Sequence, residues 1–192
     1  LKKIGYGICY KVDLSKPYYM VLLHPVTTNN NNDILSNTVL NSVVKLNKQV
    51  IWIWPNNDAG AYVITTKIRA FREKNIHQRI NFYTNFEVSD YLKLLSKSLC
   101  LIGNSSSGIR ECSYLGIPVI NIGDRQDQRE RGKNVINVGI NTNKIVNAVE
   151  DISKKKVFPK NYIYGNGNSS NKILKILKKI KINVKKKFYE KK

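Results

Sequence analysis

The stretch "LCLIGNSSSGIRECSYLGIPVINIG", from Leu99 to Gly123, decides the fold. Two apolar runs enclose a serine-rich corner and a short amphipathic segment. This order predicts a buried strand, a turn into a helix and a second buried strand. Neighbouring parallel strands need such crossover connections, so the stretch indicates a parallel sheet.

The rest of the chain repeats this alternation. Six apolar runs have the length of strands, at 18–24, 49–54, 80–83, 98–103, 117–123 and 134–139. Apolar residues spaced three and four apart predict helices at 33–47, 61–75 and 88–98. We therefore predict an α/β fold with a Rossmann-like parallel sheet and helices on both faces.

Local signals predict where two of the helices begin. Asp33 ends the asparagine run 29–33 and is expected to cap the first long helix. A glycine-rich turn at 164–170 precedes a last amphipathic helix. Its apolar face consists of Ile173, Leu174, Ile176, Leu177 and Ile180.

The chain length of 192 residues fits one domain. We predict a linker remnant at 1–17, the Rossmann-like domain at 18–182 and a basic tail at 183–192. The formal net charge is +20, which would suit a nucleic-acid partner. The excess is mostly lysine and is densest near the C-terminal end, as on a solvated surface, so we predict neither a nucleic-acid nor a membrane partner.

The cysteines indicate a reducing compartment. Cys9, Cys100 and Cys112 are odd in number and lack the paired spacing of metal ligands. No apolar stretch approaches the ~20 residues of a membrane span, and the basic start lacks the apolar core of a signal peptide. We therefore predict a cytoplasmic protein without a bound metal.

Polar side chains follow four of the predicted strands. His24, Asn56 and Arg125 come after the first, second and fifth strands, and a serine cluster follows the fourth. Ligands of open parallel sheets bind beyond the carboxyl ends of the strands. Ordinary turns remain an alternative, because Asn, Ser and Gly dominate turns for backbone reasons. That alternative is weakest for His24 and Arg125, which are not turn formers.

The serine cluster has the composition of an anion site. A strand that turns into a helix through small residues leaves the amides of the helix start uncovered. Hydroxyl donors would be added by Ser105, Ser106 and Ser107, and Gly108 would let the backbone approach the ligand. We predict that a diphosphate binds at the amide-rich start of a helix that begins after Gly108.

Glu111 is an acid beside this predicted anion site. It is expected in the first turn of the helix, where it could interact with the helix dipole. It could also accept hydrogen bonds from ribose hydroxyls, as acidic residues do in dinucleotide folds. We favour the ribose role, because it explains why an acid is tolerated beside an anion.

Four stretches together carry a family resemblance. They are "HPVTT" at 24–28, "PNNDAG" at 55–60, the block from Gly103 to Gly139, and "YGNGNSSNKIL" at 164–174. In this order they resemble the C-terminal half of the hydrolysing UDP-N-acetylglucosamine 2-epimerases of sialic acid biosynthesis. The corner "NSSSGIRE" is similar to the hydrolysing branch, since related non-hydrolysing enzymes carry "DSGGIQEE" there.

The resemblance implies a fold and a set of binding roles. The chain would be the C-terminal, UDP-binding domain of a two-domain GT-B-like epimerase. His24 and Arg125 would reach the diphosphate or the sugar, and Asn56 would line the cleft. Phosphate oxygens would be bound by Ser105 and Ser106.

Two further positions carry implied roles for the nucleoside. Glu111 would take the ribose hydroxyls, in agreement with the inference from charge. Tyr91 would lie against uracil at a position where the family usually has phenylalanine. A core aromatic on the helix "VSDYLKLL" is an equal alternative for Tyr91.

The resemblance also implies the reaction and the partners. The family converts UDP-N-acetylglucosamine to UDP and N-acetylmannosamine with no cofactor and no metal. Its acid and base carboxylates belong to an N-terminal half that this chain lacks, so His24 is the catalytic candidate here. We expect a UDP-sugar substrate, pairing with the missing half, a homo-oligomer when complete, and no turnover by this chain alone. A GT-B-type glycosyltransferase half and a stand-alone UDP-binding module remain alternatives.

Overall fold

The computed structural model describes residues 12–28, 31–74, 79–154 and 158–181, together with Lys185. The strands are β1 (Tyr18–Leu22), β2 (Gln49–Ile53), β3 (Ile80–Tyr83), β4 (Leu101–Gly103), β5 (Val119–Ile122) and β6 (Val135–Val138). The helices are α1 (Asn32–Leu46), α2 (Ala61–Lys74), α3 (Val88–Lys97), α4 (Ser106–Ile109), α5 (Glu111–Leu115), α6 (Thr142–Ser153) and α7 (Ser169–Leu177).

The six strands form one parallel sheet in the order β3-β2-β1-β4-β5-β6. On β1, Val21 pairs with Trp52 of β2 on one side and with Ile102 of β4 on the other. This confirms the predicted sheet. The chain reverses its direction of travel across the sheet between β1 and β4, and such a reversal opens a crevice at the carboxyl ends of the two strands.

Both faces of the sheet are covered by helices. Tyr19 and Val21 of β1 pack in one hydrophobic cluster with α1, α2 and α6. Tyr18 and Met20 pack on the opposite face with α3 and α5. Because side chains alternate between two buried faces, the strands consist almost entirely of apolar residues. Among the described helices, none has the length and apolarity needed to cross a bilayer.

The predicted cap of α1 is wrong by two positions. Asn31 is the cap residue, and Asp33 lies in the first turn. Asn32 accounts for the earlier start, because its side chain turns inward and bonds both the N–H and the carbonyl of Val26. The helix thus starts where it can hold the segment that follows β1.

The helix at the serine corner also differs from the prediction. It begins before Gly108, as α4, and Ser105 caps it by accepting a hydrogen bond from the N–H of Ser107 at 3.2 Å. The helical path is interrupted at Arg110, and Glu111 is the first residue of α5. The single helix expected to begin after Gly108 is therefore two short helices. Helix α6, which the sequence reading did not name, follows β6 and completes one face of the sheet.

Part of the predicted linker at 1–17 packs against the sheet. Val12 is buried in the same cluster as Tyr18, so packing begins before position 18. Cys9 and most of the tail at 183–192 lie outside the described residues. The domain boundaries therefore stay a prediction.

Gly103 is required by the close approach of β4 to β1, which generates a test of the fold. Its φ is +143°, and a Cβ there would lie 2.0 Å from the carbonyl oxygen of Leu22. We expect Gly103→Ala to lower the free energy of unfolding by about 2 kcal/mol or more, through backbone strain and overpacking. Gly139 has nothing within 4 Å of a built Cβ, so Gly139→Ala is the matched control. Denaturant melts of the two variants should differ clearly, and equal stabilities would contradict the constraint.

Candidate functional site

Four strand ends are joined by hydrogen bonds at the carboxyl edge of the sheet. The participants, which we call the edge network, are His24, Asn56, Asp58, Asn104 and Arg125. They follow β1, β2, β4 and β5. The network thus brings together three residues that the sequence predicted for a site, His24, Asn56 and Arg125, and adds two that it did not.

Asn104 is the buried member of the edge network and is fully shielded from solvent. Its Oδ1 accepts from the N–H of His24 at 2.8 Å, and its Nδ2 donates to the carbonyl of His24 at 2.8 Å. Its own carbonyl accepts from Nη1 of Arg125 at 3.2 Å and from Nε2 of Gln126 at 2.8 Å. One residue therefore contacts both the end of β1 and the segment after β5.

The imidazole of His24 is held in one orientation. Its Nδ1 accepts from the backbone N–H of Asn56 at 3.1 Å. The proton of the neutral ring therefore resides on Nε2. Burial and, second, the nearby charge of Arg125 lower the pKa of His24 to about 4, against the opposing effect of Asp58. The half-buried ring is thus a neutral donor at physiological pH.

Arg125 and Asp58 close the network on the exposed side. Nη2 of Arg125 lies 3.3 Å from Oδ2 of Asp58, and the same oxygen accepts from Nδ2 of Asn56 at 2.5 Å. An open cavity of about 460 Å³ adjoins the pair and is lined also by Thr27 and Asp124. Arg125, which was predicted to bind a diphosphate, is therefore paired with the carboxylate of Asp58 in this structure.

The three serines of the corner have different surroundings. Ser105 is buried and caps α4. Ser107 is also buried, and its Oγ lies 2.5 Å from the hydroxyl of Tyr91. Ser106 is half-buried and stands at the first position of α4. Of the three hydroxyls, that of Ser106 is therefore the best placed for a ligand.

Gly108 has a packing role that the sequence did not reveal. A Cβ there would lie 2.8 Å from Cγ1 of Val119 and 3.5 Å from Cδ2 of Leu101. The glycine thus lets α4 rest on the sheet. Its approach to a ligand, which we inferred from the absence of a side chain, stays a prediction.

Tyr91 lies beneath the corner. Its half-buried ring packs against the cluster that contains Tyr18, and its hydroxyl meets Ser107. Burial raises the pKa of Tyr91 far above its ordinary value, so the side chain is a neutral phenol. These contacts show the packing role of Tyr91, and the uracil contact remains a proposal.

Glu111 carries an unpaired polar atom. Its Oε2 is buried and has no hydrogen-bond partner among the described residues. Buried carboxylate oxygens are normally paired, because leaving one unpaired costs free energy. A group that donates hydrogen bonds is therefore expected to complete this position.

Sequence reasoning missed Asn104 and Asp58 as members of the site. Asn104 follows β4 directly, and Asp58 lies two residues after Asn56, so their place at a strand end was the available signal. Within the part of the chain that the structure describes, no cluster of His, Cys, Asp or Glu could hold a metal ion.

Comparison with known proteins places the chain in a family. The family model described as UDP-N-acetylglucosamine 2-epimerase matches residues 3–178. A UDP-N,N'-diacetylbacillosamine 2-epimerase (hydrolyzing) of Legionella pneumophila is 28% identical over 172 residues, which are 89% of this chain and 45% of that protein. The polysialic acid biosynthesis protein P7 of Escherichia coli is 35% identical over 150 residues, or 76% of this chain and 37% of that protein. The chain therefore spans less than half the length of these relatives.

A solved structure agrees on the fold. The crystal structure of UDP-GlcNAc 2-epimerase from Neisseria meningitidis, bound to UDP-GlcNAc, matches with a TM-score of 0.67 and 19% identity. The match covers 88% of this chain and 46% of that one. The predicted Rossmann-like fold class is thus confirmed. With the family model matching nearly the whole chain, we conclude that the chain belongs to the UDP-N-acetylglucosamine 2-epimerase family.

Proposed function

We propose that this chain is the C-terminal, UDP-binding half of a hydrolysing UDP-N-acetylglucosamine 2-epimerase. The whole enzyme would convert UDP-N-acetylglucosamine to UDP and N-acetylmannosamine. The observation that carries the proposal is the edge network, which gathers His24 and Arg125 at the crevice beside the serine corner. Family membership favours this function over a glycosyltransferase half or a stand-alone UDP-binding module.

The diphosphate would lie between Ser106 and the cationic part of the edge network. Arg125 would exchange its contact with Asp58 for a phosphate oxygen, and Nε2–H of His24 would donate to another. Both groups would stabilise the negative charge that grows on UDP as it leaves the sugar. Such contacts strengthen in the transition state, and they therefore accelerate the reaction rather than only bind the substrate.

The ribose would meet Glu111. Its buried Oε2 has no donor in the part of the chain that the structure describes, and ribose hydroxyls are donors of suitable size. The competing dipole role is weakened because α5 has only five residues. Uracil would lie near the half-buried ring of Tyr91, in keeping with the family resemblance.

Proton transfer at C2 of the sugar would require groups from another part of the enzyme. His24 is a neutral donor, and Asp58 is already paired with Arg125 and Asn56. We therefore expect this chain alone to bind UDP without turning over the sugar nucleotide. The exposed face of α7, with Ile173 and Ile176, is available to the proposed N-terminal half.

The proposal extends to the compartment and to the sugar of the substrate. The free thiols of Cys100 and Cys112 support a reducing cytoplasm as its compartment. The relative from Legionella pneumophila is named for a diacetamido sugar, so a UDP-linked diacetamido sugar is an alternative substrate to UDP-N-acetylglucosamine. An assay of the complete enzyme with both sugar nucleotides would distinguish them.

The serine corner provides the direct test of UDP binding. We expect Ser106→Ala to cost ~1.5–3 kcal/mol of UDP binding free energy, because a hydrogen bond to a charged oxygen is lost. Ser170→Ala, at an exposed position of α7, is the matched control and should bind like the wild type. Ser105 is avoided because its loss would also uncap α4. Calorimetric titration with UDP decides, and equal affinities would remove Ser106 from the site.

Glu111→Gln separates ribose recognition from stabilisation. We expect weaker UDP binding and a smaller preference for UDP over 2'-deoxy-UDP, with little change in melting temperature. Glu150→Gln, at an exposed position of α6, controls for the loss of one negative charge. A lower melting temperature with unchanged UDP affinity would instead support the dipole role.

The protonation of His24 gives a pH prediction with a definite sign. The folded pKa, about 4, lies below the ordinary 6.5, so between these values only the unfolded chain takes up the proton. The free energy of unfolding should therefore fall as the pH drops from 6.5 toward 4, and less so in His24→Gln. NMR titration of the imidazole should give a midpoint near 4, and a midpoint near 6.5 would show that the ring is not shielded as described.

A further inference from the structure

We propose that Asn104 is a positioning residue that sets the relative placement of His24 and Arg125 for binding the diphosphate. The proposal rests on the UDP-binding function proposed above. Asn104 lies in the motif "NSSSGIRE", but it is not among the predicted site residues. The positioning role is inferred from the contacts that Asn104 makes on both sides of the crevice.

The side chain of Asn104 continues the sheet beyond the end of β4. Its amide gives one acceptor to the N–H of His24 and one donor to the carbonyl of the same residue, each at 2.8 Å. This reproduces the two-sided bonding of a parallel strand at a point where β4 has already ended. The backbone of His24 therefore cannot shift along the crevice without breaking both bonds.

The backbone of Asn104 also helps to place Arg125. Its N–H donates to the carbonyl of Leu22 at 3.2 Å, and its carbonyl accepts from Arg125 and Gln126. Gln126 is itself buried, so it restrains the segment from which the Arg125 side chain extends. Asn104 thus restrains the position of Arg125 as well as that of His24.

The chemistry of position 104 is specific to an amide. Asp would place a carboxylate oxygen against the carbonyl of His24, where the Nδ2 donor now lies. Leu would leave the N–H and the carbonyl of His24 without partners in a fully buried place. Because Ser105 follows directly, a shift of Asn104 would also move the serine corner.

A matched control is available at the opposite edge of the sheet. Asn134 is also buried, and its side chain makes two comparable bonds, donating to the carbonyl of Ile117 at 2.8 Å and accepting from Ser113 at 3.2 Å. It precedes β6, at the amino ends of the strands. Asn134→Asp should therefore disturb stability as Asn104→Asp does, without touching the edge network.

The experiment compares Asn104→Asp, Asn104→Ser and Asn134→Asp in the full chain, below the melting temperature of each. We expect both Asn104 variants to raise the UDP dissociation constant at least about tenfold, and Asn134→Asp to leave it within about twofold. In an Arg125→Gln background the effect of Asn104→Asp on UDP affinity should shrink, because the two residues act through one contact.

Wild-type UDP affinity in a folded Asn104 variant would overturn the inference. So would failure of both Asn104 variants to fold while Asn134→Asp folds, since Asn104 would then serve stability.

A spectroscopic readout separates this inference from the proposed function. The NMR signals of the His24 imidazole and the Arg125 Nε–H should move in the Asn104 variants and stay in place in Asn134→Asp, with or without UDP. If the wild-type chain does not bind UDP, the proposed function fails while these signals still test the positioning role. Unchanged signals in the Asn104 variants would overturn it.

Discussion

The paired hydrogen bonds between the Asn104 amide and the backbone of His24 are the interaction on which the candidate site depends. They exist because β4 is short and Gly103 lets it approach Leu22 closely, so the next residue reaches the end of β1. This contact lies at the point where the strand order reverses. A buried amide thereby converts a general property of doubly wound sheets, a crevice at the reversal, into a defined placement of a histidine and an arginine.

Within the edge network, the one cation is paired with the one acid. Arg125 is paired with Asp58, and the His24 ring is neutral because of burial and the neighbouring guanidinium. A diphosphate would take over the role of Asp58 as the partner of Arg125, so the cation is already oriented before the ligand arrives. Preoriented donors cost little reorganisation when charge develops on a leaving group. Oε2 of Glu111, which has no partner among the residues that the structure describes, complements this arrangement as a hydrogen-bond acceptor.

Periodicity was sufficient to predict the sheet, since all six strands lie within the predicted runs and helices α1, α2 and α3 differ from their predicted ranges by one residue at most. The errors arose where side chains bond the backbone locally. Asn32 bonds Val26 and starts α1 early, and Ser105 caps α4 ahead of Gly108. Residue types alone also suggested His24, Asn56 and Arg125, because they follow strands. Asn104 also follows a strand, but residue types could not indicate its bonds to His24, which depend on the register between β1 and β4. Nor could they indicate the contact of Tyr91 with Ser107.

The most direct measurement is the reaction of the purified chain with UDP-N-acetylglucosamine, with and without an added N-terminal half of a relative from the same family. If this chain is the UDP-binding side of a shared cleft, it binds UDP by itself, and UDP and N-acetylmannosamine are released only when the other half is present. Release of both products by the chain alone, at a rate unchanged by the added half, would contradict that division of roles. If UDP binds neither with nor without the added half, the assignment of the edge network to diphosphate binding is contradicted.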